Sequence, residues 1–102
     1  MSRKHIGSSL ESFLEEEGVR EEAALLARKK ILADQMIEAM TRAKVSKVQL
    51  AKAMRTSRTV VHRLLDPTNT GVTLETLARV ATALHLDLQV SLAPARRRRA
   101  TR

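Results

Sequence analysis

A short stretch of the sequence concentrates side chains that can read the edges of base pairs. If residues 58–65 form a helix and Arg58 is placed at 0°, three apolar side chains fall between about 200° and 300° and four polar ones between about 0° and 140°. The apolar arc holds Val60, Val61 and Leu64, and the polar arc holds Arg58, Thr59, His62 and Arg63. Arginine can bridge O6 and N7 of guanine, and threonine offers thymine a hydroxyl and a methyl group. We therefore predict base contacts from Arg58, Thr59 and Arg63.

Three further residues suit the phosphate backbone. Lys47 and Ser57 stand at predicted helix N-termini, where backbone amides and the helix dipole favour an anion. His62 joins them as a predicted phosphate contact. The alternative is that residues 58–63 are only the solvated face of an ordinary basic helix.

The elements around this arc favour the first interpretation. Ser46 and Gln49 have the spacing of a capping box, which predicts a helix over 47–54. The next two residues form a turn, and Ser57 can cap a helix over 58–65. Ala51 supplies the small side chain that two closely crossing helices require. Two short helices joined by such a turn are a helix-turn-helix, whose second helix enters the major groove.

The flanking sequence predicts further helices. The capping-box spacing of Ser8 and Glu11 predicts a helix over 9–17 that ends at Gly18. Residues 20–42 predict one long helix, or two with a bend near 28–30. Residues 67–72 form a loop, after which Thr73 caps another helix.

Residues 86–92 change the pattern from helix to strand. Apolar and polar residues alternate there, with Leu86, Leu88, Val90 and Leu92 on one side. A strand needs a neighbour, and the sequence offers no second one, so we expect pairing with the same strand of a second copy. The alternative is an extended tail packed on its own helices. Residues 94–102 form a basic tail that we expect to be disordered, and Arg96–Arg99 either add non-specific DNA affinity or are simply solvated.

The charge distribution points to a polyanionic partner. The net charge is +8, and residues 27–66 hold ten Lys or Arg against three acids. Residues 10–26 are the opposite, with six Glu against one Arg. Phe13 is the one aromatic residue, which argues against a stacking platform for single strands.

Several classes of function are not expected. The absence of cysteine excludes disulfides and thiolate metal sites. His5, His62 and His85 lack metal-ligand spacing, and no catalytic set is apparent, so we predict no enzyme, metal, cofactor or small-molecule ligand. No apolar run approaches the ~20 residues of a membrane span, and no secretory signal is visible. We expect a cytoplasmic protein without a membrane partner.

The segments Ser46–Met54 and Arg55–Asp66 resemble the XRE family of phage-repressor-like helix-turn-helix domains, and residues 73–84 look like the family's next helix. The resemblance covers about residues 30–85 and implies a mainly α, lambda-repressor-like domain of five helices that binds operator DNA as a homodimer. The family usually has glycine in the turn. Here Arg55 stands there, and since a left-handed non-glycine residue costs about 1 kcal/mol, a differently shaped turn is an expectation. The loop is also longer than in compact phage repressors, which leaves open whether Thr68, Asn69 or Thr70 approaches phosphate.

A narrower resemblance joins residues 4–18 and 64–74 to HigA-like antitoxins, which implies autoregulation and a toxin partner that cleaves RNA. The glutamate-rich start would dock such a basic partner, or is an ordinary helix with acids near its N-terminus. We therefore predict a sequence-specific repressor of double-stranded DNA that is an autoregulating antitoxin. The alternatives are a regulator without a toxin and a module that mainly holds a partner. The expected divisions are an acidic helical extension (1–29), the DNA-binding domain (30–85), a dimerisation strand (86–93) and the tail (94–102).

Overall fold

Four helices make up the chain in the computed structural model, which describes residues 2–95, with side chains from residue 10 onward. They are α1 (Ser2–Ala43), α2 (Lys47–Met54), α3 (Arg58–Leu65) and α4 (Leu74–Ala83). The mainly helical class is confirmed. The expectation of five helices is wrong, because residues 2–43 form one unbroken helix.

Gly18 does not end a helix. It lies inside α1, where a Cβ added to it would meet no atom within 4 Å. Glycine costs about 1 kcal/mol relative to alanine in a helix interior. Glutamate, leucine, arginine and alanine residues on the two sides of it favour helix strongly, so a single glycine does not interrupt it. The expected helix start at Ser8 is also wrong, since α1 already begins at Ser2.

The core lies where the C-terminal half of α1 meets α2, α3 and α4. Its buried members are apolar side chains from all four helices: Met36, Met40, Leu50, Ala51, Met54, Val61, Leu64, Leu65, Val80 and Leu84. The contribution of α1 to the buried interior begins at Lys29 and Ala33. The preceding residues 10–26, which we call the acidic arm, contain no buried side chain.

A basic residue with a left-handed backbone follows each of the first, second and fourth helices. These residues are Lys44, Arg55 and His85, with φ of 57°, 57° and 58°. Each donates its amide to the carbonyl three residues back, and the following residue donates to the carbonyl five residues before it. This is the Schellman arrangement, which commonly uses glycine. A positive charge near a helix C-terminus is favourable for the dipole, which suits the lysine and the arginine at two of these positions.

Residues 86–92 form no strand, so that prediction is wrong for the single chain. The physical reason is that no other segment of the described chain is extended and free to pair with them. Residues 86–89 instead line a groove with Leu32, Met36 and Leu77, which agrees in part with the alternative of a tail packed on its own helices. The expected disorder of residues 96–102 lies outside the described residues. No helix among residues 2–95 is long and apolar enough to cross a membrane.

Candidate nucleic-acid interface

The caps of α2 and α3 fix where the two helices begin. The Ser46 amide donates to Oε1 of Gln49 at 2.8 Å, and the Gln49 amide donates to Oγ of Ser46 at 3.1 Å. At the start of α3 the Val60 amide donates to Oγ of Ser57 at 3.2 Å. Both predicted caps are confirmed. They satisfy amides that a helix start leaves without partners.

The contact between α2 and α3 is apolar. Leu50, Ala51 and Met54 of α2 are buried in one cluster with Val61 and Leu64 of α3. The predicted role of a small residue at Ala51 agrees with its burial there. Since the cluster also holds residues of α1 and α4, α3 is packed on its inner side against the rest of the domain.

The turn between these helices has a left-handed residue despite lacking glycine. Arg55 has φ 57° and ψ 50°, and the Thr56 amide donates to the Ala51 carbonyl at 2.9 Å. The expectation of a differently shaped turn is therefore wrong. Arg55 adopts this strained backbone conformation because the Schellman hydrogen bonds stabilise it.

The outer side of α3 is polar and open. Arg58, Thr59, His62 and Arg63 are exposed, whereas Val61 and Leu64 are buried. The separation into two arcs predicted from helical geometry is confirmed. Across the described side chains, none of the four polar ones takes part in a hydrogen bond or an ion pair of its own. They are free to meet a ligand in the solvent.

The segment that contains α2 and α3 carries only basic charged side chains. Residues 39–65 hold seven Lys or Arg and no acid, with Glu38 and Asp66 as the flanking acids. Lys47 is the first residue of α2 and is exposed, as is Ser57 at the cap of α3. A surface of this kind attracts polyanions.

The loop after α3 uses most of its polar side chains internally. Oδ1 of Asp66 accepts from the amide and the hydroxyl of Thr68 at 2.9 and 2.8 Å. These bonds, the amide's first, hold the pKa of the Asp66 carboxyl below its ordinary value of 3.8. Nδ2 of Asn69 donates to the Arg63 carbonyl, and its Oδ1 accepts from the Gly71 amide, both at 3.2 Å. Three residues of this loop are candidates for a phosphate contact: Thr68, Asn69 and Thr70. Of these, Thr70 is exposed, and its hydroxyl forms no hydrogen bond within the described chain.

Lys29 is a residue of this region that sequence reasoning missed. Its Nζ donates to the carbonyls of Asp66 and Asn69, both at 2.7 Å, and of Arg63 at 3.4 Å. Only 5% of the residue is exposed, and burial lowers the pKa of its ammonium while Asp66 opposes the shift. Its partners are backbone atoms 34 to 40 residues away, and such contacts leave no signal in the side-chain pattern.

The described residues bring together no group of three or more His, Asp or Glu side chains that could hold a metal ion. The candidate interface consists of the basic, solvent-facing side of α3, whose other side packs on the apolar core. Together with the capped helix before it, this helix defines the class of helix-turn-helix DNA-binding proteins.

Comparison with known proteins identifies the family. Residues 35–89 match the Cro/C1-type HTH DNA-binding domain, and this range is more than half of the chain. The chain belongs to the family of Cro/C1-type HTH DNA-binding domains. Membership indicates a DNA-binding transcription regulator, and the family is typically non-enzymatic. Neither a curated protein nor a solved structure matches the chain significantly.

Proposed function

We propose that the chain is a sequence-specific repressor that inserts α3 into the major groove of operator DNA. The observation that carries this proposal is the exposed arc of α3. Its two arginines, threonine and histidine face solvent without an acid among them, on a helix held from behind by the core. The residue types and the exposure are those that direct reading of bases requires.

Individual roles follow from chemistry and position. Arg58, Thr59 and Arg63 contact bases, while Lys47, Ser57 and His62 contact phosphates. Oγ of Ser57 already accepts from the Val60 amide, which leaves its own hydroxyl hydrogen to donate to a phosphate oxygen. Each bidentate base contact is worth ~1–3 kcal/mol of discrimination.

The double variant Arg58→Ala/Arg63→Ala tests this assignment. Fluorescence anisotropy compares its binding to the duplex upstream of its own reading frame with binding to a scrambled duplex of equal length. We expect the preference for the first duplex to disappear while the helical circular dichroism signal stays. The matched control, Arg20→Ala/Arg79→Ala, removes the same charge from two exposed surface ion pairs and keeps the preference. A preference that survives in the first variant would overturn the assignment.

We propose further that two copies bind the operator together and meet through residues 86–92. Val90 and Leu92 are 63% and 99% exposed, and Leu86 and Leu88 are also open to solvent in the single chain. Covering these apolar side chains stabilises a dimer by the hydrophobic effect. A two-fold pair would place two copies of α3 in major grooves one turn, about 34 Å, apart.

The acidic arm favours a second function, that of an antitoxin holding a basic, RNA-cleaving toxin. Leu10, Phe13 and Leu14 are exposed on the arm beside its glutamates, and no described side chain covers them. Two arms pairing with each other would bring like charges together, so a basic protein is the better complement. The arm would bind as a helix laid in a groove.

A chain truncated to begin at Arg28 tests the antitoxin proposal, because it lacks the arm and keeps Lys29. We expect the full chain to co-purify with the product of the adjacent reading frame, and the truncated chain to lose this partner while retaining operator binding. Capture of the partner by the truncated chain would contradict docking on the arm. No capture by the full chain would favour a regulator that acts without a toxin.

A further inference from the structure

We propose that Lys29 is a positioning residue for DNA reading, setting the orientation of the C-terminal end of α3 and of the following loop. The inference rests on the proposed function of α3. Lys29 itself lies on α1 and is too buried to meet DNA.

The geometry matches the ammonium group with a set of three acceptors. Nζ of Lys29 has three donors, and the carbonyls of Arg63, Asp66 and Asn69 lie within hydrogen-bond distance of it. The Arg63 carbonyl belongs to the last turn of α3, where the helix dipole is negative and carbonyls lack helical partners. Lys29 therefore acts as a C-terminal cap supplied by another helix.

The same three carbonyls belong to the end of α3 and the loop after it, the part of the structure that we propose to face DNA. Arg63 is the proposed base-contacting residue nearest the end of α3, and the loop between α3 and α4 follows directly. Asn69 reinforces the arrangement, because its Nδ2 also donates to the Arg63 carbonyl at 3.2 Å. Fixing these backbone atoms to α1 fixes the direction in which the Arg63 side chain leaves the helix.

Burial of a charge at this place requires compensation. A buried ammonium is costly unless its donors are all used, and here all three have acceptors. The Asp66 carboxylate nearby adds a favourable charge, although it accepts its hydrogen bonds from Thr68. A methionine of similar length at position 29 would keep the apolar stem and remove every donor.

Lys29→Met is compared with Lys30→Met, which removes the same charge from an exposed neighbour paired with Asp34. Anisotropy on the upstream and scrambled duplexes measures the specificity ratio and the salt slope, at a temperature where circular dichroism shows each variant folded. We expect Lys29→Met to lower the specificity ratio about tenfold, the value of one base contact. The salt slope stays unchanged, because it counts phosphate contacts and Lys29 makes none. Lys30→Met keeps the ratio.

A second readout does not need DNA. The Asp66 amide donates to the Arg63 carbonyl and the Asn69 amide to the Asp66 carbonyl. We expect hydrogen exchange of these two amides to accelerate about tenfold in Lys29→Met and not in Lys30→Met. If Lys29→Met does not fold, Lys29→Gln, which keeps two N–H donors, is measured in both assays.

The outcomes separate this inference from the proposed function. A folded position-29 variant with wild-type exchange at Asp66 and Asn69 would overturn the positioning role, whatever the DNA result. Altered exchange with an unchanged specificity ratio would also overturn it, leaving Lys29 a purely structural residue. If the unmodified chain shows no duplex preference, the proposed function itself fails, and the positioning role of Lys29 in DNA reading fails with it.

Discussion

The Nζ atom of Lys29 lies 2.7 Å from the carbonyl oxygen of Asp66, so a buried cation on α1 holds the residue that follows α3. This contact joins the helix that carries the acidic arm to the helix proposed to read DNA. It also places a titratable group in the interior, with consequences for stability that can be measured.

The free energy of unfolding should rise with pH in the alkaline range because of the Lys29 ammonium. Burial lowers the pKa of Lys29 below its ordinary 10.5. Between the lowered pKa and 10.5 the unfolded chain therefore binds a proton that the folded chain has released. The free energy of unfolding increases with pH wherever the unfolded state binds more protons. Urea unfolding at a series of alkaline pH values measures this increase.

The matched comparison uses Lys29→Met, which has no group to titrate at this position. We expect its free energy of unfolding to lack the alkaline increase, whereas Lys30→Met retains it. The chain contains no tyrosine or cysteine, which removes two other side chains that titrate in this range. Parallel pH profiles for the unmodified chain and Lys29→Met would show that Lys29 is not the source.

The turn at Arg55 offers a second prediction. Because Arg55 has φ 57°, replacing it with glycine removes the clash of Cβ with the left-handed backbone. We expect Arg55→Gly to raise the free energy of unfolding by about 1 kcal/mol. Arg55→Ala is the control, since it removes the same side chain and keeps the Cβ. Equal stability of the two variants in chemical denaturation would contradict a strained turn.

A third prediction concerns the exposed segment 86–92. If this segment joins two copies, the double variant Val90→Asp/Leu92→Asp should be monomeric, because charges would replace the apolar side chains at the contact. Sedimentation velocity measures the oligomeric state of the variant and of the unmodified chain. Ile31→Asp, a change at a 59% exposed site on α1, serves as the control and leaves the dimer intact. A dimer that persists in the double variant would place the contact elsewhere.

The helix-turn-helix could be predicted from the sequence because its signals are local. Ser46 and Gln49 lie three residues apart, Ser57 precedes its helix by one residue, and the two arcs of α3 repeat with the helical period. Each of these patterns depends on neighbours within one turn of chain. The exposed arc of α3 follows from the same short-range geometry.

The other features of the structure depend on contacts between distant residues, or on competition between neighbouring residues, which no local pattern reveals. Gly18 has the residue type of a helix end, yet the helix formers on both sides outweigh it. The 86–92 segment has the alternation of a strand, yet a strand exists only with a partner. Lys29 looks like one of many surface lysines, and its role appears only when α1 packs against the end of α3.

Sequence-specific binding is tested most directly by the anisotropy of the unmodified chain on its upstream duplex and on a scrambled duplex of equal length. Both titrations are run at about 50 and 200 mM salt, because binding through phosphates alone weakens steeply over this range. We expect tight binding that is confined to the upstream duplex and survives at the higher salt. Equal binding to both duplexes that disappears with salt would contradict sequence-specific binding.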